Sequence, residues 1–230
     1  MKKWETKIFD YINNENIYIK IKKYVNLILK ENEKYNLTGF DEEKIWLDGI
    51  YQSIFLLNKF INCNKTDQHL LDIGAGAGFP SLPFYLFQEE KIKLTICEPI
   101  LKRVKFLNLV KEELNLQNLT IVNSRLEDTN WEEKFDFICA RAVTDLRKLI
   151  EISSKCGKIN SQYIFLKSKN VYQEINEAKG IINKLNIKEI KIETIDLNDS
   201  KEHNVIIYKK QSKTPPNFPR KWNEIIKNKL

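Results

Sequence analysis

The stretch LLDIGAGAGFP at residues 70–80 constrains this chain more than any other. An apolar run meets Asp72, and glycines then fall on every second position at Gly74, Gly76 and Gly78. Glycine accepts positive φ and leaves the backbone bare, so this spacing marks a tight turn that a ligand approaches closely. In open α/β sheets such a ligand lies beyond the carboxyl ends of the strands.

The rhythm downstream agrees. Strand-like runs recur at 69–73, 93–97, 119–123, 135–139, 162–167, 188–195 and 204–209, with helical patterns near 81–89, 101–115, 144–155 and 172–185. Short strands alternating with helices predict a mostly parallel sheet wrapped on both faces. The last two strands are joined by DLNDSKEH, too short for a crossover helix, so they predict an antiparallel hairpin. Upstream, Ile21, Tyr24, Leu27 and Ile28 repeat at helical spacing, as do Ile45, Ile50, Ile54 and Leu57, with Asp41 placed to cap the later helix. The predicted fold is α/β and Rossmann-like, a mostly parallel seven-stranded sheet ending in a hairpin and preceded by helices. Residues 1–66 read as a helical extension, 67–210 as the core and 211–230 as a basic tail.

Three ligands compete for the glycine turn. A P-loop needs Gly-Lys-Ser/Thr, which is absent here. A dinucleotide fingerprint needs a third small residue where Phe79 stands, and Pro80 then brings no amide for pyrophosphate. D-x-G-x-G-x-G after a buried strand is instead similar to class I S-adenosylmethionine (SAM) methyltransferases, whose ligand carries no phosphate. Asp72 is then placed to orient the ammonium group. Glu98 ends the second strand, where a carboxylate takes both ribose hydroxyls. SRLED (124–128) follows the third strand, where adenine is read, and Arg141 ends the fourth beside the same crevice.

Composition bounds the partners. No window nears eighteen uninterrupted apolar residues, and the N-terminus acquires Glu5 and Asp10 before any apolar core develops, so the expected compartment is the cytoplasm, with no membrane contact. The four cysteines, Cys63, Cys97, Cys139 and Cys156, stand far apart with only two histidines in the chain, which favours buried thiols over disulfides or a metal. From Lys209 onward seven basic residues face one acid, Glu224, so nearly all of the +7 net charge lies in the tail. That fits a polyanion such as RNA, or a merely solubilising end. In helix 101–115, Val104, Leu107, Val110 and Leu114 face the sheet, while Lys102, Arg103 and Lys105 face outward.

Several stretches together resemble one family, the bacterial small-subunit ribosomal RNA guanine-N7 methyltransferases (the RsmG or GidB family). They are YNLTGF (35–40), DIGAGAGFPSLP (72–83), KRVKFL (102–107), ARAV (140–143) and KTPPNFPRK (213–221). The resemblance implies SAM contacts at Gly74, Phe79, Leu126, Glu127 and Arg141. It implies methyl transfer to N7 of the guanine at nucleotide 527 of 16S rRNA, with the small subunit as partner; a monomer is the expected form. The chain departs from the family at Gly49 and Gln52, where His and Asp are common, at His203, where an arginine is common, and after FPRK. These departures touch RNA contacts rather than the cofactor turn.

The chemistry is compatible. Guanine N7 carries a free in-plane lone pair, so its methylation needs alignment and neither a nucleophilic cysteine nor a general base. Cys139 lacks the Pro-Cys setting of cytosine-C5 enzymes, and CARA stands where exocyclic-amine enzymes carry a Pro-Pro motif. Arg141 is the candidate catalytic residue, reaching cofactor and substrate. Two other readings remain: a small-molecule SAM methyltransferase, and an RNA-binding protein that keeps the fold without catalysis.

Overall fold

The computed structural model describes residues 2–65, 67–167, 170–197 and 202–227. The junction at residue 66, part of the hairpin turn and the last three tail residues lie outside the described residues. The chain divides into two compact units, residues 1–68 with 74–123 and residues 69–73 with 124–230.

The first unit begins with α1 (Lys3–Ile12) and α2 (Glu15–Asn32). Asn14 opens α2 by accepting the Ile17 amide at 3.1 Å. Ile21, Tyr24 and Ile28 then bury the face that their spacing predicts. A short α3 (Glu42–Lys44) runs into a π-helical segment (Ile45–Tyr51) and α4 (Gln52–Phe60). Asp41 caps this run as expected, accepting the Lys44 amide at 2.9 Å. In the π segment the Gln52 amide reaches back five residues to the Leu47 carbonyl, an irregularity that accommodates one extra residue. The unit continues through α5 (Ser81–Phe87), β2 (Lys93–Cys97), α6 (Leu101–Glu113) and β3 (Leu119–Val122). Val104, Leu107, Val110 and Leu114 are all buried, as the amphipathic pattern requires.

The second unit holds β1 (His69–Ile73), β4 (Phe135–Arg141), α7 (Leu146–Ser153), β5 (Gly157–Lys167), α8 (Val171–Lys184), β6 (Ile190–Ile195), β7 (His203–Lys209) and α9 (Trp222–Lys227). β4 pairs in parallel with β1 and with β5, whereas β7 pairs antiparallel with both β5 and β6. The sheet order is β3-β2-β1-β4-β5-β7-β6. The hairpin is thus present, but its returning strand slots between β5 and its own partner rather than extending the edge. The inward faces of β4, β5 and β7 are apolar and buried, with Tyr163 stacked on Tyr208 at 4.5 Å between ring centroids.

The basic tail is not loose. Phe218 and Ile225 are buried, and Arg220 closes a fork on Glu151 of α7, Nε to Oε1 at 2.7 Å and Nη2 to Oε2 at 2.8 Å. Lys210 is also buried, donating to the Gly157 carbonyl at 2.9 Å. Two of the tail's cations are therefore internal structure, and among the described residues the exposed ones are Lys209, Lys213, Lys221 and Lys227. No described helix is long and apolar enough to cross a membrane.

Candidate cofactor site

After β1 the chain turns on Gly74, Gly76 and Gly78 with φ of 67°, 61° and 107°, a region that disfavours side-chain-bearing residues. Internal hydrogen bonds fix the turn: the Gly74 amide donates to the Cys97 carbonyl at 2.8 Å, and the Gly78 and Phe79 amides both donate to the Ala75 carbonyl at 2.9 Å.

Glu98 follows β2 and is only 1% exposed. Its Oε2 accepts the Gly76 amide and its Oε1 the Ile100 amide, each at 3.0 Å. The acid is thereby tied to the glycine turn. A carboxylate has about four acceptor positions, so each oxygen keeps one for a further donor such as a ribose hydroxyl. The open face of Gly76 and a carboxylate with spare acceptor capacity suit SAM. Among the described residues, no His, Cys, Asp and Glu side chains group in threes to hold a metal ion.

The turn is supported from behind by the N-terminal helices. Tyr24 of α2 donates its hydroxyl to the Ala77 carbonyl. The Phe79 ring is buried, stacked on Phe40 at 6.2 Å and tilted against Tyr24 at 6.1 Å. It fits only because residue 49 is glycine: a Cβ there would stand 2.6 Å from Phe79 Cζ. Phe79 thus belongs to the packing under the turn.

Arg103 differs from its outward placement in the amphipathic reading. Its side chain is 34% exposed, with Nη1 3.8 Å from Glu98 Oε1 and Cζ 3.9 Å from where a Cβ on Gly76 would sit. Its Nε is buried and makes no hydrogen bond among the described residues. The long stem lets the guanidinium reach back over the glycine turn.

In the second unit, Asp72 is fully buried on β1 and lies opposite Cys139 of β4 in register. Burial first, and then the charge and hydrogen bond of Asp72, hold the Cys139 thiol well above its ordinary pKa. The thiol is a packed donor, not a nucleophile. Arg141 ends β4 opposite Leu166, and Ala142 follows with φ of 54°. Leu126 and Glu127 sit on a separate single 3₁₀ turn (Leu126–Asp128) packed against α7. Leu126 is buried, and Glu127 has Arg125 Nη1 3.8 Å from its Oε1.

The structure brings Glu98 and the glycine turn together, and it adds Arg103, the Tyr24 hydroxyl and the Gly49 seat, which sequence reasoning missed. Tyr24 carried a signal, a polar tip at a core position; the other two depend on contacts between distant segments.

The family model described as rRNA small subunit methyltransferase G (GidB) matches residues 17–205. A protein of Mycoplasmopsis pulmonis named ribosomal RNA small subunit methyltransferase G is 42% identical over 214 residues, covering 92% of each chain. One of Malacoplasma penetrans, with the same name, is 41% identical over 224 residues, covering 96% of this chain and 93% of its own. A SAM-dependent methyltransferase from Aquifex aeolicus superposes with a TM-score of 0.54 at 16% identity, covering 74% of this chain and 93% of that one. The T. thermophilus 16S rRNA N2 G1207 methyltransferase, in complex with AdoMet and guanosine, gives 0.51 at 13% identity, covering 72% and 40%. Likeness at that level speaks for the fold alone. The family match and the relatives above 40% identity, taken over most of the length, show that this chain belongs to the GidB family, rRNA small subunit methyltransferase G.

Proposed function

We propose that this protein transfers a methyl group from SAM to N7 of a guanine in 16S rRNA of the small ribosomal subunit, nucleotide 527 by family resemblance, acting as a cytoplasmic monomer. The observation that carries the cofactor half is the Glu98 carboxylate hydrogen-bonded to Gly76 within a turn of three positive-φ glycines. Gly74, Gly76 and Gly78 are assigned to the methionine and ribose side of SAM, with Glu98 accepting from the ribose hydroxyls. Asp72 is buried two residues before Gly74, where its negative charge favours an ammonium group through a low-dielectric interior. Phe79 acts by holding the turn, while Leu126 and Glu127 are assigned to the adenine.

Bound SAM supplies an electrophilic methyl group on a sulfonium. The remaining task of the protein is to orient the base and exclude water, an effect that reaches about 7–11 kcal/mol when reacting atoms are well aligned. N7 needs no deprotonation. Arg141 is assigned to the guanine O6, which fixes the base plane without occupying the N7 lone pair, and to the cofactor. Duplex RNA hides N7 in a deep groove, so the target base is unpaired or extruded when it reacts. Residues 67–210 form the transfer core in this reading. Residues 1–66 and the exposed tail lysines hold the RNA backbone.

The deciding experiment incubates the protein with tritiated SAM and small subunits from a strain lacking the modification. Label recovered as 7-methylguanosine is the expected result, and Glu98→Ala should abolish it together with S-adenosylhomocysteine binding. Subunit binding without label would favour the noncatalytic RNA-binding protein. Neither binding nor label would leave the small-molecule enzyme.

A further inference from the structure

The chain leaves β4 at Arg141 and turns at once through Ala142, whose φ of 54° is costly for a residue with a Cβ, roughly 1–2 kcal/mol. Such a conformation persists only where the surroundings over-determine it. Two side chains from other elements hold the backbone just beyond it. Lys167, the last residue of β5, donates from Nζ to the Thr144 carbonyl and to Glu174 Oε2, both at 2.7 Å. Glu174, in the first turn of α8, also accepts the Leu146 amide on that same Oε2 at 2.7 Å. A carbonyl and an amide flanking Asp145 are thus gripped by one ion pair, whose side chains are 9% and 23% exposed.

This clasp is not needed to start α7. Asp145 already caps that helix, accepting the Lys148 amide at 3.0 Å, with Lys148 Nζ 2.7 Å from its other oxygen. Nor is it strong evidence for stability, because the desolvation of a buried ion pair commonly cancels its attraction. What the pair does fix is the path of the backbone between Arg141 and α7.

We propose that Lys167 and Glu174 are positioning residues for methyl transfer, locking the Ala142–Asp145 turn so that Arg141 meets the target base in one orientation. The inference rests on the role assigned to Arg141 above.

The test uses Lys167→Met, which removes the charge at similar length, and Glu174→Gln, which keeps an acceptor and the volume. For each, kcat is measured on small subunits at saturating SAM, beside S-adenosylhomocysteine affinity and melting temperature. A displaced turn should lower kcat about 10- to 100-fold for Lys167→Met and less for Glu174→Gln. Affinity for S-adenosylhomocysteine should fall far less than kcat, because the glycine turn and Glu98 are untouched and only the Arg141 contact to the cofactor shifts. Unchanged kcat in folded Lys167→Met overturns the proposal, as does a loss confined to cofactor affinity or melting temperature. If Lys167→Met does not fold, Glu174→Gln decides by the same criteria. Arg141→Lys separates the two claims. Full activity there would remove the role of Arg141 and the inference that rests on it, whereas impaired Arg141→Lys beside full turnover in the Lys167 and Glu174 variants would remove the clasp alone.

Discussion

Two glycines in the same turn should respond very differently to alanine. Gly76 has φ of 61°, and a Cβ there would find only Arg103 Cζ, at 3.9 Å. Gly76→Ala therefore carries the left-handed cost of about 1–2 kcal/mol, offset by about 0.4–1 kcal/mol from a stiffer unfolded chain. The net loss is about 1 kcal/mol. Gly78 has φ of 107°, and its Cβ would stand 2.6 Å from the Tyr24 hydroxyl, with Leu82 Cδ2 and Cβ at 3.0 and 3.1 Å. Tyr24 is fully buried, its ring against Phe79 and Phe106, so the hydroxyl has no open path of retreat. Moving it breaks the hydrogen bond to the buried Ala77 carbonyl, which adds about 1–3 kcal/mol. Gly78→Ala should cost about 3 kcal/mol, some 2 kcal/mol more than its neighbour.

Urea denaturation of the two variants measures this difference directly, with S-adenosylhomocysteine titrations alongside. Adding Tyr24→Phe to Gly78→Ala provides an internal control. The hydroxyl is then already gone, so the double variant should be more stable than the sum of its parts by at least about 1 kcal/mol. Equal costs for the two glycines, or strict additivity in the cycle, would refute the picture of a turn braced by Tyr24.

Arg220→Ala leaves Glu151 fully buried without its fork and should destabilise by about 3–5 kcal/mol, whereas Lys221→Ala on the surface should change stability by less than about 0.5 kcal/mol; thermal unfolding distinguishes them. Replacing Lys213, Lys221 and Lys227 with Gln should lower the salt slope of RNA binding by up to about 0.7 per lysine with no change in melting temperature, and an unchanged slope would remove them from the RNA contact. Cys63, whose thiol is pushed up to about 11 chiefly by burial, and Cys139, pushed higher still, should resist a thiol reagent at pH 8 in the folded protein and react only on unfolding.

The strands were legible because each is an apolar run punctuated by turn residues, and the glycine turn because three positive-φ positions admit few other residues. The insertion of β7 between β5 and β6 was not legible. A short connection dictates antiparallel pairing but says nothing about which edge the returning strand joins. Arg103 was misplaced because amphipathic patterning scores a guanidinium as outward, while its stem is long enough to fold back over Gly76. The tail's charge was counted correctly but overvalued. Glu151, which neutralises Arg220, lies 69 residues away in sequence, so a local sum cannot see it. Gly49 read only as a departure from the family until Phe79 showed what its missing side chain makes room for.

These particulars divide the work of the protein. The residues assigned to the cofactor's methionine and ribose, from Gly74 to Glu98, share a compact unit with the helices that brace them. Arg141 and its Lys167–Glu174 clasp belong to the other. The support behind the glycine turn is aromatic and hydrogen-bonded to a carbonyl, through Tyr24, Phe40 and Phe79; the support behind the Ala142–Asp145 turn is ionic. Supports built from separate side chains fail separately, and distant substitutions without shared partners add. Damage behind the glycine turn should therefore surface chiefly as weaker cofactor binding, and damage to the clasp chiefly as slower turnover with a much smaller loss of cofactor affinity. On this view the N-terminal helices serve the cofactor before they serve the RNA, since Tyr24 and Gly49 shape the turn from beneath whether or not a substrate is present.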